Sequence, residues 1–273
     1  MCNYSITFAC YNSVEYTKKY IDSLKKTGTQ LENVVAVDNG SSDETLAYLK
    51  SIPELGGVIA NKSNYGCGVA WNQGVLLKQS EWSVIMNNDV IVSPNWIDSL
   101  IKVAQSEKLR MISPSLIEGP LDYEFDDIVK ENTRKMERVL RHDTAHLVCL
   151  AVHESVWMDI GFFQAKPRLW GFEDTLFFHA AKKASIPMAI TGASWLHHFG
   201  SITQSEMKRE RKLNEDQGLS GRYHYKLLNE SWAQRKMRQV KHKGLIYKYR
   251  NAELSDHGLT LHGVRENGQF KWL

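Results

Sequence analysis

Trp82-Ser83-Val84-Ile85-Met86-Asn87-Asn88-Asp89 is the stretch that decides the fold. Its first part has the length of a buried strand, and it ends in two amides and a carboxylate. Far downstream follow a second acidic stretch, Trp170-Gly171-Phe172-Glu173-Asp174, and a histidine stretch, Leu196-His197-His198-Phe199-Gly200-Ser201. An acid after a strand, a second acid pair and a late histidine are what metal-assisted group transfer from a nucleotide would need.

Strand-like runs alternate with helix-like segments through the first half of the chain. The pattern predicts strands at residues 4–9, 33–37, 57–60 and 82–86, and helices at 13–26, 42–49, 68–77 and 94–105. Ser42 is the predicted cap of the second helix, and Pro94 is predicted in the first turn of the fourth. Alternation of this kind indicates an α/β fold, with a mostly parallel, Rossmann-like sheet flanked by helices.

The second half is less regular. Residues 119–141 are charged and predict either a mobile loop or a helix, whereas 147–152 and 187–190 are strand-like and 174–184 helical. Residues 204–240 look helical and polar, and turn signals at 256–258 and 266–268 predict a small terminal hairpin appendage. We therefore expect a domain at 1–203, followed by a basic helical extension at 204–273.

Composition is that of a globular protein. The chain has 273 residues, 42% hydrophobic and 24% charged, without an apolar run of membrane-spanning length or the pattern of a signal peptide. The four cysteines are scattered and form no CxxC pair, which favours free thiols in a reducing cytoplasm and disfavours zinc.

Charge is uneven along the chain. Residues 201–273 carry 15 Lys and Arg against 8 Asp and Glu, and residues 235–250 carry seven Lys and Arg and no acid. This segment is either a solvated helix face or a contact with an anionic surface, such as lipid headgroups at the inner face of the membrane or a phosphorylated acceptor. No recognition motif supports nucleic acid.

Three polar clusters follow predicted strands, where ligands of parallel sheets bind. Asp38 could accept a hydrogen bond from a nucleobase or a ribose, although an Asx turn explains it too. Cys10, Tyr11 and Asn12 would frame the base, with simple packing as the alternative for Tyr11.

A glycine-containing loop precedes the third predicted helix. Asn64 and Gly66 lie where a backbone could approach phosphate or sugar groups, although a tight turn also needs glycine. Asn72 is a poor helix former inside that helix, which indicates work for its side chain rather than simple exposure on a solvated face.

The metal candidates are Asn87, Asn88 and Asp89, because carboxylate and amide oxygens suit Mg²⁺ or Mn²⁺. Asp89 is the predicted direct ligand, and Asn87 could reach the ribose or a water. An ordinary turn is the alternative. One of His197 and His198, with His198 favoured, would complete the metal shell or hold a phosphate.

Glu173 and Asp174 open a predicted helix. We favour Asp174 as general base for an acceptor hydroxyl and Glu173 as a structural or acceptor contact, because neighbouring helix side chains point in different directions. Favourable interaction with the helix dipole is the alternative. Trp170 offers a platform for a sugar ring or packs in the core.

Taken in order, these residues resemble family 2 glycosyltransferases with the GT-A fold, over about residues 4–203. The resemblance rests on Asn12, residues 37–43, Asn64-Tyr65-Gly66, Asn72-Gln73-Gly74, Asn87-Asn88-Asp89, residues 171–174 and residues 198–201. It implies an inverting transferase that uses a nucleotide-sugar and Mg²⁺ or Mn²⁺. Asp38 would contact the base, Asp89 would be the acid of the DxD-type motif, Asp174 the base, and His198 a metal or diphosphate ligand.

One departure from the family pattern is Asn87, which stands in place of the first acid of that motif. The expected reaction moves a hexosyl, deoxyhexosyl or N-acetylhexosaminyl group from a UDP-, dTDP- or GDP-sugar to a glycan or lipid-linked acceptor, as in bacterial surface polysaccharide or glycoconjugate synthesis. The alternatives are a protein O-glycosyltransferase and a degenerate, non-catalytic sugar-nucleotide-binding module. A nucleotidyltransferase is disfavoured, because no glycine-rich basic loop follows the first strand.

Overall fold

The computed structural model describes residues 3–165, 173–200 and 228–273. In this part of the chain one mixed sheet is covered by helices on both faces. The strands are β1 (Tyr4–Cys10), β2 (Val34–Asp38), β3 (Gly57–Ala60), β4 (Trp82–Asn87), β5 (Val90–Val92), β6 (Met111–Glu118), β7 (Leu140–His142), β8 (Cys149–His153), β9 (Met188–His198), β10 (His262–Glu266) and β11 (Gln269–Trp272). The helices are α1 (Val14–Lys26), α2 (Thr45–Lys50), α3 (Cys67–Leu77), α4 (Trp96–Ser106), α5 (Phe125–Met136), α6 (Glu154–Ile160), α7 (Glu173–Lys183) and α8 (Trp232–His257).

The sheet runs in the order β11-β10-β6-β8-β4-β1-β2-β3, and β9 pairs with β5, β6 and β7. The four strands from the first third of the chain are parallel, as the alternating pattern predicts. Strand β8 enters antiparallel between β4 and β6, so the other half of the sheet is mixed. The α/β fold is confirmed, and its parallel character is strongest among β1 to β4.

Helices cover both faces because side chains alternate along the central strands. Ile6 and Phe8 of β1 pack into a core beneath α1 and α4, whereas Ile85 of β4 packs into a second core beneath α3, α6 and α7. Each fully buried large apolar side chain contributes roughly 1.5–3 kcal/mol relative to exposure. These two cores fix the helix ends that surround the carboxyl edge of β1, β2 and β4.

Several local predictions are wrong. Ser42 caps no helix: α2 begins at Thr45, whose N–H is accepted by Asp43 Oδ1 at 3.0 Å. Pro94 precedes α4 instead of lying in its first turn. The strand predicted at residues 187–190 continues to His198, where it pairs with β5 and β6.

The predicted terminal hairpin is present, but it is not an appendage. Strands β10 and β11 join through Asn267 and Gly268, both with the positive φ that a tight hairpin turn requires. Strand β10 then pairs with β6 in the main sheet. A buried, bidentate ion pair joins α8 to β7. Arg141 Nε donates to Glu253 Oε1 at 2.6 Å, and Arg141 Nη2 donates to Glu253 Oε2 at 2.7 Å. The domain boundary at 203/204 stays a prediction, because residues 201–227 lie outside the described part.

Candidate functional site

A pocket with a volume of about 1050 Å³ opens beside the carboxyl end of β4. Elements that are distant in the sequence contribute to its lining. It is lined by Asn87 at the end of β4, His198 at the end of β9, Glu173 and Asp174 at the start of α7, and residues of α3 and α8. Three of the predicted functional motifs, those at Asn87, at Glu173-Asp174 and at His198, therefore meet at one cavity.

The strand ends next to this pocket are in register. Cys10 of β1 pairs with Asp38 of β2, and Ala9 pairs with Asn87 of β4. The loops that follow these three strands therefore leave the sheet at one edge, as expected for a doubly covered α/β sheet.

The two carboxylate oxygens of Asp38 have different surroundings. Its Oδ2 accepts the Ser41 N–H at 3.2 Å, which makes the Asx-type turn. Its Oδ1 is buried and has no hydrogen-bond partner among the described residues. A buried acceptor of this kind is costly unless a ligand satisfies it, so Oδ1 is suited to an N–H or O–H donor of a ligand.

The residues after β1 mainly build the loop around Asp38. Asn12 adopts a left-handed conformation, and its Oδ1 accepts the Ser42 N–H at 2.8 Å. Tyr11 is buried. Cys10 packs in the core with its thiol directed at the Val37 carbonyl, so only its backbone remains available to frame a base.

An amide network that the sequence did not reveal holds the loop between β3 and α3. Asn39 Nδ2 donates to Asn64 Oδ1 at 2.9 Å, and Asn61 and Gln73 bond to each other through both amide groups. Asn64 also accepts the Gly66 N–H at 2.9 Å. Asn64 therefore stabilises the loop through hydrogen bonds inside it. Gly66, with φ 86°, is the N-cap residue that directly precedes α3.

Asn72 does perform side-chain work, but its partner is the protein itself. Its Nδ2 donates to the Phe163 carbonyl at 2.7 Å, and its Oδ1 accepts the Phe163 N–H at 3.0 Å. Both groups of the Asn72 amide therefore have a protein partner, and a contact of Asn72 with a substrate stays a prediction. The pair fastens the segment after α6 against α3, beside the pocket.

The side chains of the Asn87-Asn88-Asp89 motif lie in three different environments. Asn87 lines the pocket. Asn88 is buried and its Nδ2 donates to Thr17 Oγ1 on α1 at 3.0 Å, which anchors the motif to that helix, and a role of Asn88 at the metal or the substrate stays a prediction. Asp89 is buried between β4 and β5, and its carbonyl accepts the Phe199 N–H at 3.0 Å.

Asp89 meets His198 because β5 pairs antiparallel with β9 and places the two segments side by side. His198 Nε2 lies 3.4 Å from Asp89 Oδ1, a distance longer than an ordinary hydrogen bond. His198 Nδ1 bonds Glu118 Oε1 at 2.9 Å, and Glu118 Oε2 bonds His262 Nε2 at 3.0 Å. The chain Asp89–His198–Glu118–His262 thus joins the motif after β4 to the C-terminal hairpin.

The electrostatics of this chain follow from burial and pairing. Burial lowers the pKa of His198, but the nearby Asp89 carboxylate and the hydrogen bond to Glu118 outweigh burial and raise the pKa to about 9. The hydrogen bonds from His198 and His262 hold the pKa of Glu118 far below its ordinary value. Without a bound metal, His198 is therefore cationic at neutral pH.

His197 faces the opposite side of β9, as the alternation of strand side chains requires. Its Nδ1 bonds the Tyr123 hydroxyl at 2.8 Å within a cluster that includes Phe125 and Phe199. Burial lowers the pKa of His197 to about 4, so the ring is neutral. His198, not His197, belongs to the pocket.

Helix α7 presents its acids to the pocket. Asp174 is exposed, and its Oδ1 accepts the Thr175 N–H at 2.7 Å. Glu173 lies over the start of α3, since a Cβ placed on Gly68 would come within 3.3 Å of Glu173 Cγ. The prediction for Trp170 falls outside the described residues.

Asp89 and His198 are the described residues suited to a divalent cation. Their set of one carboxylate and one buried imidazole, backed by Glu118, fits a cation that takes its remaining ligands from phosphates and water. In the described ranges, no three His, Cys, Asp or Glu side chains are grouped closely enough to hold a metal by themselves. A metal here would thus depend on the substrate for several of its ligands.

Comparison of sequences gives a family match and partial relatives. The sequence model of Glycosyl transferase family 2 matches residues 5–162. A Haemophilus influenzae protein described as an uncharacterized glycosyltransferase is 27% identical over 36% of this chain and 31% of its own length. The Rhizobium meliloti succinoglycan biosynthesis protein ExoO is 33% identical over 37% of this chain and 30% of its own length. The aligned part thus spans about a third of these relatives.

Solved structures show the same fold. Staphylococcus aureus TarS 1-349 in complex with UDP-GlcNAc has a TM-score of 0.57 at 16% identity, over 75% of this chain and 61% of that one. The mannosyltransferase PcManGT from Pyrobaculum calidifontis, in complex with GDP-Man and Mn²⁺, has a TM-score of 0.54 at 16% identity, over 77% and 61%. At these identities the likeness shows the fold, which is GT-A.

The family match begins in β1 and ends just after α6, so it includes Asp38, Asn87 and Asp89 but neither Asp174 nor His198. It covers more than half of the chain, and the fold agrees with it. The chain belongs to glycosyl transferase family 2.

Proposed function

We propose that this protein transfers a sugar from a nucleotide-sugar to an acceptor hydroxyl with inversion at the anomeric carbon. The observation that carries the proposal is the single pocket on which the end of β4, His198 and the acids of α7 converge. Membership of the family supports the reaction class, and the geometry supports the division of roles.

The proposed donor site lies along the carboxyl edge of β1, β2 and β4. Asp38 Oδ1 accepts a hydrogen bond from the base or ribose, since it is buried and lacks a protein partner among the described residues. The amide network around Asn39 and Asn64 keeps the adjacent loop fixed before the ligand arrives. Structural neighbours bound to UDP-GlcNAc and GDP-Man support a nucleotide-sugar, with its base and sugar left open.

Asp89 and His198 would hold Mg²⁺ or Mn²⁺ beside the donor diphosphate. A divalent cation at this place supplies charge neutralisation for the departing diphosphate. Glu118 fixes the orientation of the His198 ring through Nδ1, which leaves Nε2 directed at Asp89. The Mn²⁺ in the PcManGT structure supports such an ion.

Asp174 is the proposed general base. It is exposed to the pocket on the first turn of α7, where an acceptor hydroxyl can approach it. Asp174 takes the proton of this hydroxyl while the acceptor oxygen forms a bond to the anomeric carbon. At the same time the bond from that carbon to the diphosphate oxygen breaks. A single displacement of this kind inverts the anomeric configuration.

The proposed biological role is synthesis of a surface polysaccharide or glycoconjugate from the cytoplasmic side. The partial likeness to ExoO supports this role. Residues 235–250, with seven Lys and Arg and no acid, support a peripheral contact with anionic lipid. Of the helices that the structure describes, none has both the length and the apolar character needed to cross a bilayer.

A panel of UDP-, dTDP- and GDP-sugars, with and without Mn²⁺, tests the proposal by thermal shift and by transfer assay. The cognate donor is expected to raise the melting temperature, more so with Mn²⁺, because it binds the native state. Transfer to a glycan acceptor should follow, with the opposite anomeric configuration in the product. Donor binding without turnover on any glycan, lipid-linked or protein acceptor would instead favour a non-catalytic module, for which Asn87 is the motivating residue.

A further inference from the structure

Helix α7 lines the pocket along its whole length and carries opposite charges at its two ends. Glu173 and Asp174 lie in its first turn, and Lys182 and Lys183 in its last; all four line the same cavity. The helix dipole favours this distribution on any helix. It does not explain why both ends open into one pocket.

Helix α8 places two further basic residues next to the two lysines. Arg238 and His242 of α8 line the pocket together with Lys182 and Lys183, and we call these four residues the basic wall. Arg238 is held in place by two bonds to Glu230, at 2.8 and 2.9 Å. Burial and the positive charges of Lys182 and Arg238 lower the pKa of His242, which indicates that these groups lie close together.

The two lysines carry charge that the described protein does not neutralise. Both are exposed, and within residues 3–165, 173–200 and 228–273 neither Lys182 nor Lys183 forms an ion pair. Arg238, by contrast, is paired with Glu230. An anion that enters the pocket would thus meet two unpaired ammonium groups beside a fixed guanidinium.

The basic wall is separate from the proposed metal site. Lys182 and Lys183 end α7, and Arg238 and His242 belong to α8, whereas Asp89 follows β4 and His198 ends β9. Eight residues separate Asp174 from Lys182, so their backbone positions lie about 12 Å apart along α7. An acceptor whose hydroxyl reaches Asp174 can therefore extend towards the lysines by about the length of a disaccharide.

We propose that the basic wall binds a phosphate group on the acceptor, towards the opposite end of α7 from the hydroxyl that is glycosylated. This inference rests on the proposed function, because it places the reacting hydroxyl at Asp174. It makes the acceptor a phosphorylated glycan, in which the phosphate sits one to two sugar units from the growing end.

The test compares disaccharide 1-phosphates with the methyl glycosides of the same disaccharides as acceptors. For wild-type protein, kcat/KM should be at least tenfold higher for the phosphorylated member of an accepted pair. In the variant K182E/K183E this ratio should fall towards one. The control variant K50E/K102E changes two exposed lysines outside the pocket by the same charge, and it should keep the wild-type ratio.

Three results would overturn the proposal. Equal kcat/KM for both members of each accepted pair would remove the phosphate subsite and leave the transferase function intact. A higher KM for the nucleotide-sugar in K182E/K183E, equal for both acceptors, would assign the lysines to the donor diphosphate. Loss of binding to phosphatidylglycerol vesicles in the same variant, without discrimination between the acceptors, would assign them to a membrane surface.

A direct measurement of acceptor binding tests the phosphate subsite even if no tested donor supports turnover. Calorimetric titration of the same disaccharide pairs should show tighter binding of the phosphorylated member to wild-type protein, and the preference should disappear in K182E/K183E but not in K50E/K102E. Absence of any preference in wild-type protein would refute the phosphate subsite. Absence of nucleotide-sugar binding would count against the proposed function alone.

Discussion

The donor edge of the sheet and the opposite, C-terminal side of the pocket are built in different ways. At the donor edge, polar side chains bond within the protein: Asn39 bonds Asn64, Asn72 bonds the Phe163 backbone, and Asn88 bonds Thr17. On the C-terminal side, Asp174 and Lys182 line the cavity, and among the described residues the side-chain hydrogen bonds of Asp174 go to Thr175. Polar residues of a family motif can thus hold the shape of a site through bonds within the protein.

Replacement of Asp174 by Asn gives the largest expected effect, and it sharpens this comparison. Transfer should fall about 10²–10⁴-fold, because the acceptor proton loses its base. Nucleotide-sugar binding at the donor edge should persist, as measured by thermal shift. The matched control E173Q should lose less activity. Full turnover in D174N would remove Asp174 from the role, and loss of donor binding would break the division into two sides.

Replacement of Glu253 by Gln tests whether the C-terminal segment is part of the body. The buried pair with Arg141 leaves an uncompensated guanidinium when it is broken, so the free energy of unfolding should fall by about 3–5 kcal/mol. The surface pair Lys135–Glu131 provides the control, and E131Q should cost at most about 1 kcal/mol. Urea unfolding measures both. Equal, small effects would mean that α8 contributes little to the fold.

Replacement of Glu118 by Gln tests the support behind His198. Loss of the carboxylate behind a metal-binding histidine should weaken Mn²⁺ affinity about 10–100-fold while the fold is retained. The variant H262Q removes only the outer bond of the chain, so its effect should be smaller. Titration of Mn²⁺ in the presence of the nucleoside diphosphate measures both. Unchanged affinity in E118Q would separate Glu118 from the metal site.

The loss of folding stability at acidic pH that comes from His146 is the last prediction. Burial lowers the pKa of His146 to about 4, whereas the unfolded chain takes up this proton near its ordinary value of about 6.5. The fold should therefore lose stability as the pH falls from about 6.5 to 4, by roughly 2–3 kcal/mol from this residue. In H146Q, the difference in unfolding free energy between pH 7.5 and 4.5 should be smaller by that amount. An unchanged difference would contradict the assignment.

The sequence predicted the donor edge well because strand alternation and polar strand ends are local signals. Residues 4–9, 33–37, 57–60 and 82–86 needed no knowledge of distant contacts to be recognised as strands, and their parallel pairing placed Asp38 beside Cys10. The sequence favoured His198 over His197, and the structure supplies the physical reason, because β9 continues to His198 and alternate residues of a strand face opposite sides.

The remainder depends on contacts that no local pattern encodes. Glu118 ends β6 and His262 begins β10. Strand β6 pairs with β9 on one side and with β10 on the other, and only these two pairings bring Glu118 and His262 to His198. Asn72 carried a real signal, but the sequence could not say whether its partner was a substrate or Phe163. The separation of charges on α7 became meaningful only when both ends of the helix were found in one cavity.

The most direct test of the central claim is a crystal structure with Mn²⁺ and the nucleoside diphosphate of the cognate donor, with the metal located by its anomalous signal. The account predicts one Mn²⁺ within about 2.3 Å of both the Asp89 carboxylate and His198 Nε2, with diphosphate oxygens as further ligands, and with Asp38 Oδ1 bonded to the base or ribose. A metal bound elsewhere, or a nucleotide that leaves Asp38 and Asp89 without contact, would contradict it.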